Sequence, residues 1–122
     1  MEEQNLDFNS KYVLRTKKFA VNIILFYANY CKKSEEMRVI GKQLLRSGTS
    51  IAANFRAYTR GRSTAERYAK ICIVVEEADE TLFWLELLEE ADLVEKSLLI
   101  PMKQEVFELV KIFASTKAKL KK

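Results

Sequence analysis

Two groups of side chains in this chain have the types and spacing that chemistry needs. In the first, Ser47, Ser50 and Asn54 form a row at helical spacing beside Arg46, and the run "EEADE" supplies Glu76, Glu77, Asp79 and Glu80. Clustered carboxylates can work as acid and base or hold a divalent metal. They can also be neutralised by guanidinium and amide donors within a helix–helix contact. The chain contains no histidine, which removes histidine triads, most zinc sites, Glu-x-x-His di-iron bundles and proximal-histidine haem. Without a histidine or a nucleophile beside them, the carboxylates read as structural. Arg46, Ser50, Asn54, Glu76 and Glu80 are expected to form one interhelical network that sets register, so losing Arg46 should cost roughly 3–5 kcal/mol. No catalytic residue, metal site or cofactor is expected.

The second group is cationic. Arg56, Arg60, Arg62, Arg67 and Lys70 surround the stretch "TRGRS", and Lys11, Arg15, Lys17 and Lys18 cluster near the start of the chain. These types suit phosphate, and Tyr58 and Tyr68 among them are candidates to stack on bases. Arg15 and Lys18 join the loop cations as candidate nucleic-acid contacts. Spacing alone suits an ordinary solvated loop at least as well. The net charge of +4 is unevenly placed: residues 1–75 hold 14 basic and 6 acidic side chains, residues 76–122 hold 7 and 11. Such segregation favours a charged partner over a uniform surface.

The elements that must position these groups are helices. With 48% apolar residues, three glycines and one proline in 122 residues, the composition is that of one compact all-helical domain. Tyr12, Thr16, Phe19, Ile23, Phe26 and Tyr30 recur at steps of three and four, predicting a helix over about 11–33 with Ser10 as N-cap. Met37, Gly41, Leu44, Gly48, Ile51, Phe55 and Tyr58 alternate steps of four and three, a heptad seam over about 36–59. Both glycines fall on that seam inside "QLLRSGTSIAANFRA" and its approach. Each costs about 1 kcal/mol against alanine, so a close helix–helix contact is expected there.

Ser63 and Glu66 form a capping box for a third helix over about 64–91. Its seam reads as Tyr68, Ile71, Val75, Ala78, Leu82 and Leu85. A fourth helix over about 98–119, capped by Ser97, carries Leu99, Met102, Val106, Leu109, Phe113 and Leu120, with Pro101 tolerated in its first turn. Short connections between long helices predict an all-α, antiparallel up-down-up-down four-helix bundle.

Apolar residues also lie off the seams. Leu14, Val21 and Leu25 stand opposite the first stripe, and "TLFWLELL" puts Phe83, Trp84 and Leu87 away from the third. A helix apolar on two sides is buried on two sides, which here predicts a homo-oligomer interface. Scattered surface hydrophobes on a monomer are the alternative. Cys31 and Cys72, without a Cys-x-x-Cys pair, read as buried free thiols of a reduced cytoplasm, a disulfide or reactive thiol being the alternatives. The N-terminus "MEEQNLDFNSK" lacks an apolar secretory core. The stretch "AVNIILFYA" is far short of the ~20 residues that span a bilayer. A cytoplasmic protein without a membrane partner is expected.

"QLLRSGTSIAANFRA" followed by "EEADETLFWLELL" resembles the bacterial four-helix-bundle family of 23S rRNA intervening-sequence proteins, in helix order over the whole chain. The resemblance implies a ring-like homopentamer without enzymatic activity. It also implies kinship with accessory variability proteins of retroelements, whose partners are nucleic acid (RNA or DNA) and a reverse transcriptase. The family pattern carries a Glu shortly after the Asn-aromatic-Arg stretch, where Ala57 and Tyr58 stand here, so no role attaches to that position.

Overall fold

The computed structural model describes residues 7–121; residues 1–6, with most of the acidic N-terminal stretch, and Lys122 lie outside them. Four helices follow in order: α1 (Phe8–Tyr30), α2 (Glu35–Thr59), α3 (Thr64–Glu90) and α4 (Lys96–Lys121). Each packs along its sequence neighbour, while α1 and α4 meet far less extensively. This is an antiparallel four-helix bundle, with no strand among the described residues. No helix among them is long and apolar enough to cross a membrane.

The caps explain the boundaries. Asp7, not Ser10, caps α1: its carboxylate accepts from the Ser10 backbone N–H at 2.8 Å, so the helix starts three residues earlier than the periodicity predicts. Ser34 caps α2 by accepting from Met37 N–H, and Ser63 caps α3 by accepting from Glu66 N–H. The Glu66 carboxylate answers at Arg62 N–H, one residue outside the expected box. Helix α3 ends in a Schellman turn, Leu93 N–H bonding Leu88 C=O and Asp92 N–H bonding Glu89 C=O, with Asp92 left-handed at φ 57°. Ser97 does not cap α4, which already begins at Lys96; its hydroxyl donates to the Glu95 carboxylate. Pro101 therefore sits in the second turn, on an exposed face, where water can satisfy the carbonyl its ring leaves without a donor.

The predicted stripes of α1, α2 and α4 are buried almost residue for residue, only Tyr30 and Leu120 remaining partly exposed. The seam of α3 is rotated. Ile71, Val74, Ala78, Thr81, Leu85 and Leu88 are buried, and Tyr68, Val75 and Leu82 flank them half-exposed. The buried pair that sequence periodicity passed over is hydroxylic: Thr81 Oγ1 donates to Ser47 Oγ at 2.8 Å between α2 and α3.

Both seam glycines sit where α1 and α2 nearly touch. A Cβ at Gly41 would lie 2.6 Å from Cys31 Cβ, and one at Gly48 would lie 3.0 Å from Ile23 Cγ1. Cys31 Cβ is tied to the backbone that ends α1 and cannot swing aside. Gly41→Ala is therefore expected to lose about 1–2 kcal/mol, overpacking in the upper part of its usual range, ~2–3 kcal/mol, outweighing a helix-propensity gain of ~1. Gly48→Ala should lose less, because a branched side chain can shift by tenths of an ångström. Thermal melts of the two variants check the ranking, and a Gly41→Ala protein as stable as wild type would contradict the close approach.

Candidate functional site

Antiparallel connectivity places the start of α1, the end of α2, the start of α3 and the end of α4 at one end of the bundle. Four short apolar-aromatic contacts stiffen that end: Phe55 stacks with Phe113 at 4.9 Å and Tyr58 at 5.3 Å, and Tyr12 meets Phe113 at 5.7 Å and Phe8 at 4.7 Å. Tyr58 is thus spent in the core, 8% exposed, and is not available to stack on a base. Tyr68 is half-buried on α3.

On this aromatic plug sits the loop 60–63. Arg56 and Arg60 are exposed in the last turn and cap of α2, where cations complement the helix C-terminus. Arg62 is exposed and loosely paired with Glu66 at 3.4 Å. Arg67 reaches toward the Thr64 hydroxyl, its stem lying where a Cβ on Gly61 would stand. Lys70 follows one turn later on α3, half-buried. The same topology brings Lys117 and Lys119 of α4 to this end, a convergence no local pattern reveals.

The first-helix cations divide. Lys17 joins Arg56 and Arg60 around an open cleft of about 440 Å³ between α1 and α2, with Val13, Ala52 and Ala53 beneath. Lys18, one position and about 100° further round, lines a separate cleft of about 360 Å³ facing Glu105 of α4. Arg15 is engaged: its guanidinium donates to Glu105 at 2.7 and 3.0 Å and to Glu108 at 2.5 Å. The Glu105 hydrogen bond holds Arg15 protonated more firmly than usual, against the opposing effect of burial. Arg15 braces α1 to α4 and is not a free cation for a ligand.

Carboxylates collect at the other end. Glu86, Glu89, Glu90 and Asp92 line the surface where α3 meets α4, with Lys96 and Lys103. Glu89 pairs with Lys103, which lowers its carboxyl pKa chiefly through that hydrogen bond. The 27 residues of α3 separate the two ends by about 40 Å, several times the ~8–10 Å over which salt screens charge. The acidic end does not cancel the basic one.

The expected polar network is smaller than its sequence outline. Arg46 binds Glu80 at 2.8 Å and approaches Glu77 at 4.0 Å. Trp84 Nε1–H donates to the same Glu80 carboxylate. Asn54 bonds only the Ser50 carbonyl of its own helix, and Glu76 points to solvent, so neither Ser50, Asn54 nor Glu76 joins the bridge. Arg46 is 55% exposed, which revises the cost of losing it to about 1 kcal/mol, the scale of exposed pairs. An Arg46→Ala melt checks this, and a loss of several kcal/mol would restore the buried-network picture.

Burial, then the charge of Glu80, pushes the Glu77 carboxyl up, with Arg46 pulling it back. A raised carboxyl penalises the fold at neutral pH, and falling pH relieves that penalty. Glu89 and Glu108 are lowered instead, so their contributions persist until acid protonates them. Among the described residues, no group of three potential ligands could hold a metal ion. Cys31 is buried, which pushes its thiol up to about 11, whereas Cys72 is half-exposed rather than buried.

On the outer faces Leu14, Val21 and Leu25 are 47–53% exposed and Phe83 is 47% exposed. Trp84 and Leu87 are half-buried. Ile24, Val39, Ile100 and Phe107 are exposed too, although sequence reading did not single them out.

A search of curated proteins returns no match. Among solved structures, a protein of unknown function from the S23 ribosomal protein family of Bacteroides thetaiotaomicron VPI-5482 is similar. It superposes with a TM-score of 0.79 at 32% identity, over 86% of this chain and 96% of that one. The family model of the 23S rRNA-intervening sequence protein matches residues 9–115, from the first turns of α1 through most of α4. With α2 and α3 whole, most of α1 and α4, and both quoted motifs inside that match, the chain belongs to the 23S rRNA-intervening sequence protein family.

Proposed function

We propose that this protein is a non-enzymatic, self-associating bundle that binds the phosphate backbone of RNA or DNA through its basic end. One observation carries the reading. The topology gathers Arg56, Arg60, Arg62, Arg67 and Lys70 with Lys117 and Lys119 at one end, while the carboxylates of Glu86–Asp92 lie at the other. The family and its solved relative carry rRNA or ribosomal names; the reading rests on the charge geometry and not on them. Repetition of the basic end in an oligomer multiplies weak phosphate contacts through effective concentration. The ring of five subunits and a reverse-transcriptase partner belong to this proposal through family resemblance.

A salt titration of wild-type protein with labelled RNA and DNA tests the reading. Log affinity should fall linearly with log salt, by roughly 0.7–0.9 per phosphate neutralised. Undetectable binding at low salt would overturn it. The exposed ridge of Leu14, Val21 and Leu25 would then favour a protein-interaction module with no nucleic-acid role.

A further inference from the structure

We infer that the cleft between α1 and α2 seats one nucleotide of a single strand, so that the basic end prefers single-stranded RNA or DNA to duplex. This rests on the backbone-binding reading above and adds to it which form of the polymer is bound. The cleft pairs cationic side chains with an apolar floor. Its rim carries Lys17, Arg56 and Arg60, and its floor is apolar and small-sided, built from Val13 and the consecutive Ala52 and Ala53. Two alanines in a row on α2 leave the groove between the helices open where longer side chains would fill it. Its volume of about 440 Å³ falls in the roughly 300–1,000 Å³ range of ligand clefts.

A duplex keeps its base faces stacked inside and offers a helix surface mainly phosphates. A groove between neighbouring helix axes, about 8–10 Å apart, is too narrow to admit it. A single strand exposes sugar edges and base faces, which can lie on the alanine floor while the neighbouring phosphates meet the three cations. The Thr59 hydroxyl at the cleft edge is already donated to the Arg56 carbonyl at 2.7 Å, and no aromatic ring lines the cleft. The floor therefore has little with which to read base edges, and the preference is for strandedness, not for sequence.

The test uses full-length protein with a labelled oligouridine and a blunt RNA duplex of equal length, and three proteins: wild type, Ala53→Leu and Lys17→Gln. Ala53→Leu fills the cleft without changing charge, at a position exposed to solvent. Lys17→Gln removes one rim cation and keeps the chain foldable should the leucine perturb packing. Wild type should bind the oligouridine about fivefold tighter than the duplex, the effect of burying a few tens of Å² of apolar surface, and Ala53→Leu should lose about fivefold on the oligouridine with less than about twofold on the duplex. Lys17→Gln should likewise weaken the strand more than the duplex. If the variants bind both probes as wild type does, or lose both in equal measure, the cleft is no strand site although the basic end still binds backbone. Failure of wild type to bind either probe removes the backbone reading and this inference with it.

Discussion

Arg56→Glu/Arg60→Glu should weaken RNA binding by about a hundredfold or more at low salt and flatten its salt dependence. The two guanidiniums stand exposed at the end of α2, flanking the cleft floor. Reversing both puts two anions where phosphates must come, and in an oligomer the change is repeated in every subunit. Since both side chains face solvent, the fold should survive, with a melting temperature close to wild type. Two other variants separate local from global charge. Lys32→Glu/Lys33→Glu alters net charge equally, but at the opposite end of the bundle, and should leave binding nearly intact. Arg15→Ala should destabilise the protein by about 1–2 kcal/mol by freeing Glu105 and Glu108, with little effect on binding. Equal losses for the α2-end and α1-end charge reversals would mean that net charge, and not the gathered basic end, drives association. Fluorescence anisotropy at fixed salt decides among these outcomes.

Leu25→Glu should convert a self-associated protein into a smaller species. Leu25 is 53% exposed, on the same outer face of α1 as Leu14 and Val21. A carboxylate there sits comfortably in water and is costly in a dry interface. Because the side chain contributes little to the intramolecular core, the subunit's own stability should change by less than about 0.5 kcal/mol. Trp84→Glu is a less clean probe, since it also removes the indole bond to Glu80. Light scattering at micromolar concentration should report wild type well above the 14.2 kDa of one chain and Leu25→Glu below wild type. Wild type at the mass of a single chain would refute self-association through this face. Loss of assembly should also weaken RNA binding, by removing the repeated contacts.

Much of the architecture is legible in the sequence because α1, α2 and α4 each show one apolar seam at steps of three and four, even where further apolar residues such as Leu14 and Phe107 lie off it. Helix α3 does not. "TLFWLELL" is apolar nearly all round, so periodicity offers several seams, and the true one passes through Thr81, whose hydroxyl is satisfied by Ser47. The boundaries of α1 and α4 shifted for local reasons, Asp7 capping ahead of Ser10 and α4 starting before Ser97.

The site is less legible than the fold, since it is assembled by topology. Nothing near Arg15 in the chain announces that Glu105 and Glu108 will claim it from 90 or more residues away. Nothing near Lys117 shows that it shares an end with Arg60. The division between Lys17 and Lys18 follows from one residue's rotation about the α1 axis, which becomes informative only once the neighbours of each face are known.

The most direct test of backbone binding at the basic end is lysine acetylation footprinting with and without saturating single-stranded RNA, read by mass spectrometry. The lysines form an internal control. Lys17, Lys70, Lys117 and Lys119 belong to the basic end or its cleft, while Lys32, Lys33 and Lys96 stand at the other end. RNA should protect the first set and leave the second as reactive as in the free protein. Equal protection at both ends, or protection confined to Lys32, Lys33 and Lys96, would contradict the account.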